Sequence, residues 1–539
     1  MQDVTLNGVS SEETPTQNVV DPSEFSEVTE TEGPVARGST METGEAEAAG
    51  AEAQDLLMED AESYNKTEEI AESPDLTRTN YSINDLPIEV LQYVFSWCVV
   101  GPDPVGVVRE RNAITSVCRH WREAIRNIPE VWKLVPFKGP GNFDASFACI
   151  ERAKALPLTI FIDQRDPNWN GDEDNFTFGP NAMMDLLDKI TEFRDRVEEL
   201  HIVVNTWFVM QSALSWLQAQ PPLPLLKRLE LRRAGPQYVI IEGNPPAGLS
   251  VPGLALFQGQ VSPRLKHINL SGVHVHWENT VLMGLESLSL RRLAVELGPS
   301  LRAFRDILQR SPCLRNLLLL DASPIMRVIR EDAEEEFPPI KLNHLTDVSV
   351  GKLNVEHAIY VFSQFTATNL RRLTLSALNF DDYAPLLLSI TGSFPSLTVL
   401  FIESFETEDQ AAIYGFLQSL MNLRYLKVGD VAKEFFQALC SYIPLTTASG
   451  TGDASEEQWI PICPLLETVE FTNVEFQVLY WFHEYRRDMG APLKQIFISY
   501  RLLPRLNQPA FDWLRGLGQD VVRLVPYGSI PYNDPKYLT

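Results

Sequence analysis

The sequence predicts an α/β protein: a small helical module, then an irregular solenoid of short strands and helices, with a disordered acidic tail in front. Three observations carry this. Composition changes abruptly at Tyr81, from polar and acidic to apolar. Residues 83–135 then hold two apolar helical patterns. From about residue 150, a six-residue apolar pattern returns eleven times. The expected organisation is therefore a tail over 1–80, a helical module over 81–137 and a repeat array over 150–530. At 539 residues the chain is too long for one ordinary core, which suits several domains or an extended array.

The tail is rich in Glu, Ser, Thr, Ala and Gly. It cannot bury enough apolar surface to offset the entropy of ordering, so it reads as disordered. Residues 1–80 carry 20 acidic and 3 basic side chains, a net of −17, which leaves −10 of the formal −27 to the rest. The folded part is only mildly acidic. Neither nucleic acid nor an anionic membrane is expected as its partner, because both demand a basic surface. The six cysteines (Cys98, Cys118, Cys149, Cys313, Cys440, Cys463) include no CxxC pair and suit free thiols in a reducing compartment. The N-terminus is acidic where a signal peptide is basic, and no apolar run reaches the roughly 18–20 residues of a membrane span. Cytoplasm or nucleus is the expected location. The sequons at Asn65, Asn80, Asn175 and Asn269 then carry no weight.

The module opens with YSINDLPIEVLQYVFSWCVV. Asn84 and Asp85 are capping candidates, Pro87 falls in the first turn, and Glu89 favours the positive end of the helix dipole. The residues that follow are apolar almost all round, so this helix must be covered on more than one face. After the spacer GPDPVG, a second helix carries Ile114, Val117, Cys118, Trp121 and Ile125 at spacings of three and four, one apolar stripe. Pro129 ends it and Trp132 follows.

The recurring pattern is L-x-x-Φ-x-Φ, with Φ apolar. It occurs at VEELHI (197–202), LKRLEL (226–231), LKHINL (265–270), LESLSL (285–290), LRNLLL (314–319) and LTDVSV (345–350). It continues at LRRLTL (370–375), LTVLFI (397–402), LRYLKV (423–428), LETVEF (466–471) and LKQIFI (493–498). Alternating apolar residues argue a short strand with one face buried. From 265 the steps are 20, 29, 31, 25, 27, 26, 43 and 27 residues, in or near the range of leucine-rich repeats. Helical patterns such as SLRAFRDILQRS, EHAIYVFSQF and DQAAIYGFLQSLM lie between strands, and strand, turn and helix at a fixed period imply a solenoid. TTASGTGDASEEQ in the long step and EDAEEEF at 331–337 read as loop insertions, and PLTIFID (157–163) as a degenerate first strand. The familiar repeat places Asn or Cys three residues past its last strand leucine. Here that position is Val273, Leu293, Leu353, Leu378, Val431 or Val474. The turns should be held by packing rather than by a polar ladder.

The segment INDLPIEVLQYVF…VCRHWREAIRNIPEVWKLV resembles the F-box, especially the F-box-like modules of many fungal proteins. The matching residues are Leu86-Pro87, Glu89, Leu91, Val94-Phe95, Val117-Cys118-Arg119-His120-Trp121-Arg122, Pro129 and Trp132. Residues 98–113 depart from the motif: its Leu-rich middle-helix start is missing and the spacer is lengthened. The resemblance implies binding to a Skp-type adaptor, and through it to a cullin, by Leu86, Pro87, Glu89, Val90, Leu91, Val94, Phe95, Val117, Cys118, Trp121 and Trp132. Within that set, Pro87 and Leu91 are expected toward the adaptor, while Trp121 and Trp132 hold the module together. A downstream repeat domain would then select an unknown substrate protein. The residues alone also allow a module that caps the solenoid, on a scaffold unconnected to ubiquitin.

If the Φ residues face the core, the residues between and after them line a concave face. These are Arg228, Glu230, Arg232, His267, Asn269, Arg291, Arg372 and Thr374, then Phe401, Glu403, Tyr425, Lys427, Glu470 and Phe497. Arginines and exposed aromatics suit a binding surface. Chemistry is absent where it would be legible. GPGNF (139–143) lacks the Lys-Ser/Thr of a phosphate loop, and no HExxH, paired-cysteine or G-x-S-x-G pattern occurs. His274-Val-His276 has no third ligand nearby. Asp381-Asp382 opens a helix, where the dipole accounts for it. Trp207, Trp216 and Trp277 read as anchors. The expectation is a non-enzymatic adaptor without metal or cofactor.

Overall fold

The computed structural model describes residues 83–99, 101, 104–139, 141–172, 177–235, 253–326, 337–378, 381–445, 458–499, 504, 506–518 and 521–525. The chain divides into two units, Met1–Asn80 and Tyr81–Thr539. The acidic tail and the insertions at 331–336 and 446–457 lie outside the described residues.

The second unit is mixed α/β and is dominated by one parallel sheet of fourteen strands. Their spatial order is their order in the chain. The first seven are β1 (Leu134–Lys138), β2 (Leu158–Gln164), β3 (Val197–Val204), β4 (Arg228–Arg233), β5 (His267–Ser271), β6 (Ser287–Arg291) and β7 (Asn316–Leu320). A short pair, β8 (Ile340–Lys341) with β10 (Phe365–Thr366), stands outside that sheet, which continues through β9 (Asp347–Gly351), β11 (Arg372–Leu378), β12 (Val399–Phe405) and β13 (Tyr425–Val431). An antiparallel hairpin of β14 (Tyr442–Leu445) and β15 (Gln458–Pro461) brackets the 446–457 insertion, and β16 (Thr468–Phe471), β17 (Gln495–Ser499) and β18 (Val522–Val525) complete the sheet.

Each of the eleven L-x-x-Φ-x-Φ segments supplies one strand of the large sheet, and PLTIFID supplies β2. One expectation needs correcting. The sheet starts at Leu134, inside the segment assigned to the helical module rather than after residue 150. β1 is five residues long with only Val135 and Phe137 buried, too brief to register as a period. The hairpin β14–β15 also left no signal in the sequence.

The helices are α1 (Ile88–Cys98), α2 (Pro104–Val117), α3 (Arg119–Arg126), α4 (Asp144–Arg152), α5 (Pro180–Thr191), α6 (Trp207–Ala219) and α7 (Leu301–Gln309). They continue as α8 (Val355–Ser363), α9 (Ala384–Ile390), α10 (Gln410–Gln418), α11 (Lys433–Leu439), α12 (Phe476–Asp488) and α13 (Gln508–Leu517). Parallel strands need a crossover, and helices supply most of them. Five of these helices are started by side-chain caps, with Cys118 accepting from the Trp121 amide at α3 and Asn507 from Ala510 at α13. Ser300 accepts from the Ala303 amide, Asn354 from His357, and Asp409 from Ala411 and Ala412. No α-helix separates β5 from β6, where residues 272–286 cross over as turns and extended chain.

Alternate strand residues enter one continuous apolar core. Leu229, Leu231, Leu288, Leu290, Leu373 and Leu375 join Phe304, Leu308 and Phe416 from the helices, and Leu91 of α1 belongs to the same cluster. The helical module and the sheet therefore share a core. Replacing any one of these leucines by Ala would cost about 2–5 kcal/mol.

The turns are held by main chain and packing together. A residue at the strand's end is left-handed at seven successive rungs, with φ from 48° to 62°: Gly272, Arg292, Asp321 and Lys352 just past their strands, and Ala377, Ser404 and Asp430 as the last residue but one of theirs. Their amides reach the next rung: Gly272 donates to Arg291 O (2.8 Å), Arg292 to Leu320 O (2.9 Å) and Asp321 to Gly351 O (2.8 Å). This bend turns the following residue inward, so Val273, Leu293, Leu353 and Leu378 are buried. Six of the seven are not glycine. Left-handed backbone costs a residue with a Cβ about 1–2 kcal/mol, which the buried side chain and the amide bond offset.

Candidate functional site

Two surfaces result from this fold, one on the helical module and one on the sheet. The module starts differently from its sequence reading. Pro87 is the N-cap of α1 rather than part of its first turn, with φ −52° and ψ 143° and no side-chain cap. Asn84 and Asp85 lie in a separate short 3-10 turn, Ile83–Asp85. Asn84 Oδ1 accepts instead from the Trp121 indole N–H at 2.8 Å. The second apolar stripe is split. Cys118 is extended (φ −156°, ψ 173°) and its sulfur accepts from the Trp121 amide, so α2 ends there and α3 begins. α2 also takes in the second half of what read as spacer; its VGVVRERNA stretch shows no clear apolar stripe.

The split decides which residues face outward. Leu91, Phe95 and Trp132 are buried in the chain's own core and offer nothing to a partner, which corrects the contact expected of them. Phe95 packs on Trp121 with ring centroids 4.9 Å apart. Trp132 lies between the Arg111 and Arg152 guanidinium groups, at 4.9 and 4.6 Å, and its N–H donates to Ile125 O (3.1 Å). Arg111, which the sequence did not single out, donates to Val131 O and Leu134 O and ties α2 to β1. Leu86, Pro87, Glu89, Val90, Val94 and Val117 are exposed, and Cys118 and Trp121 are half-buried. Two further exposed residues, Tyr93 (65%) and Trp97 (67%), sit edge to face on the same helix. With Val90 and Val94 they recur at spacings of three and four, which would have revealed this outer stripe.

The sheet buries one face against the helices. On its other face, aligned rows of side chains run across the strands. One row holds Glu199, Arg228, His267, Ser287, Asn316, Asp347 and Arg372, and the next holds His201, Glu230, Asn269, Ser289, Leu318, Ser349 and Thr374. A third holds Asp163, Val203, Arg232, Ser271, Arg291 and Leu320. His201 is held by two carboxylates, Nε2 to Glu199 (3.2 Å) and Nδ1 to Glu230 (3.1 Å). Burial alone would lower its pKa, but these bonds outweigh burial and raise it. The same bonds hold Glu199 and Glu230 below the usual carboxylate range. Arg228 lies 3.8 Å from Glu199, and Arg372 is ion-paired with Asp347 at 3.1 Å. Arg232 is exposed and Arg291 half-buried.

Farther along, the expected binding face closes on itself. Tyr425, Lys427, Glu470 and Phe497 are buried, so they present no free recognition surface. Lys427 pairs with Glu470, and its ammonium lies over the Phe401 ring at 4.9 Å. Tyr425 stacks on Phe497 at 6.3 Å, within a second apolar cluster that includes Val399 and Val525. Phe401 and Glu403 remain half-buried.

His274 is buried against the Trp207 ring (4.7 Å, 9°), and burial lowers its pKa to about 4, as expected of a packed neutral ring. Trp207, Trp216 and Trp277 are all buried. Among the described residues no group of three or more His, Cys, Asp or Glu could hold a metal, and no helix is long and apolar enough to cross a membrane. The chain matches no family model and no curated protein.

Proposed function

We propose that this chain is a non-enzymatic substrate receptor of a Skp–cullin–F-box ubiquitin ligase, acting in the cytoplasm or nucleus. In this reading α1–α3 form an F-box-like module and the large sheet is the strand face of a divergent leucine-rich-repeat solenoid. The observation that carries it is the two-sided α1. Leu91 and Phe95 fill the chain's own core, while Val90, Tyr93, Val94 and Trp97 leave an apolar stripe in water. A stripe of this kind marks a protein contact, and it coincides with the segment that resembles the F-box. Strands in chain order, seven successive ones ending in a left-handed residue, support the repeat reading.

A second reading has its own support. The bonds from Arg111 to β1 and the shared core favour a module that caps the sheet of a plain interaction scaffold. Co-purification of the full chain with a Skp-type adaptor and a cullin separates the two. The ligase reading expects capture at micromolar concentration, lost in a Tyr93→Asp/Trp97→Asp variant whose thermal unfolding is unchanged. Absence of capture by the wild-type chain leaves the scaffold.

A further inference from the structure

The charges on the sheet's outer face nearly cancel in pairs, and what remains unmatched is informative. From β2 to β11, Asp163 is matched by Arg165 (2.7 Å), Glu199 and Glu230 by His201, and Asp347 by Arg372. Two cations are left over, Arg232 and Arg291. Neither makes an ion pair with a described carboxylate, and the one side-chain bond of Arg291 goes to Ser289 Oγ at 3.3 Å. The pKa of Arg291 is lowered by burial and then by the like charge of Arg232, with Glu230 acting in the opposite sense, so the three share one neighbourhood in which Glu230 is already bonded to His201. In a chain of formal charge −27, such a pair is out of character.

Their geometry is fixed by register. Arg232 on β4 and Arg291 on β6 are both aligned with Ser271 on β5, so exactly one strand separates them. Two strand spacings of about 4.8 Å set the stems roughly 9.6 Å apart. An extended polyproline-type segment advances about 3.1 Å per residue with three residues per turn. Residues three apart on such a segment therefore share a face and lie about 9.3 Å apart, which matches the separation of the arginines. Between them, one row down, the Asn269 Oδ1 atom is buried with no hydrogen-bond partner. It is a buried acceptor that no described group satisfies.

We propose that Arg232 and Arg291 form a two-point clamp for an extended acidic segment of a partner protein, with two carboxylates three residues apart lying across β4–β6. Each guanidinium offers a planar fork to one carboxylate, and Asn269 receives a peptide amide between them. The clamp rests on reading this face as a capture surface. It does not depend on the link to ubiquitin.

Fluorescein-labelled synthetic peptides of one proline-containing backbone test this against the full-length chain by fluorescence anisotropy. The variants carry Glu-x-x-Glu, adjacent Glu-Glu, Gln-x-x-Gln, or a single phosphoserine. The Glu-x-x-Glu peptide should bind roughly tenfold more tightly than the adjacent-acid and glutamine peptides, and more weakly as salt rises. Arg232→Gln and Arg291→Gln should each weaken it roughly tenfold, with unchanged unfolding and unchanged adaptor capture. Equal affinity for the two glutamate spacings overturns the clamp, as does tighter binding of the phosphoserine peptide, indifference to the Arg→Gln changes, or no binding of any peptide. Since adaptor capture is measured on the same samples, loss of the clamp and loss of the ligase reading are told apart.

Discussion

The Lys427 ammonium lies 2.7 Å from one oxygen of Glu470, and the other oxygen accepts a 2.5 Å hydrogen bond from the Tyr425 hydroxyl. Although this pair is on the sheet face away from the helices, Glu470 is 2% exposed and Lys427 8%. Burying two charges is costly, and removing one partner leaves the other buried and unmatched. Glu470→Leu should therefore destabilise the chain by about 3–5 kcal/mol, while Lys427→Met/Glu470→Leu together recovers most of that loss. Urea denaturation reads the difference. Equal losses in the single and double variants would show that the pair is not coupled.

His201 gives the sheet a pH dependence whose sign follows from its two carboxylates. Its folded pKa is raised, so the stabilisation is full below the unfolded value of 6.5 and is lost as pH rises through the folded pKa. Glu199 and Glu230 are held low, so their contribution is present above the unfolded value of 4.5 and fades as pH falls through their folded pKa values. Stability from this trio is greatest between those limits. His201→Gln should cost about 1–2 kcal/mol near pH 6 and much less near pH 9. A pH-independent cost, measured by denaturant titration, would show that protonation of the ring does not matter.

The core and the exposed surface of the helical module predict two opposite classes of variant. Trp132→Ala removes a buried indole held between two guanidinium groups and should cost about 3–5 kcal/mol. Pro87→Ala, at an exposed N-cap without a side-chain bond, should leave helicity and melting temperature unchanged. Circular dichroism of both checks this. Equal loss of helix content would mean that Pro87 holds the module rather than facing out.

How far the sequence reached depended on how local the cause was. Alternation such as Leu229/Leu231 or Leu373/Leu375 is written within six residues, and every such segment became a strand. α2 was missed because its polar and apolar residues do not sort onto one face, and β1 because two buried residues make no period. The candidate surfaces were less legible. Arg372 stands at the third position of its segment and Arg291 just past the sixth of its own, and neither local sequence names a partner. Only the pairing of β9 with β11 brings Asp347 within ion-pair distance of Arg372, whereas Glu230 on β4 acts on Arg291 from farther off without forming an ion pair. Tyr425 and Phe497 looked like exposed aromatics for the same reason, since their mutual cover comes from strands far apart in sequence.

Arg486 on α12 is fully buried and forms no ion pair with a described carboxylate. Its guanidinium donates instead to three carbonyls: Ile462 at 2.7 Å, Cys463 at 3.2 Å and Leu439 at 3.4 Å. Those carbonyls sit where α11 ends and where β15 has just closed the hairpin, so one side chain joins the two roots of the segment between them. The neighbouring thiols do not neutralise it, because burial pushes Cys440 and Cys463 up to about 12 and both stay protonated. Burial also lowers the pKa of Arg486, which leaves the carbonyl dipoles as what holds its charge in place. A lysine carries the charge but not the planar fork, and can satisfy only part of this set. Each buried carbonyl left unmatched costs about 1–3 kcal/mol, so Arg486→Lys should destabilise the chain by roughly 2–4 kcal/mol. The loss should begin locally. Hydrogen exchange at Tyr442–Leu445 and Gln458–Pro461 should accelerate under conditions where β11 and β12 stay protected. Unchanged protection of that hairpin in Arg486→Lys would rule out the guanidinium as its anchor.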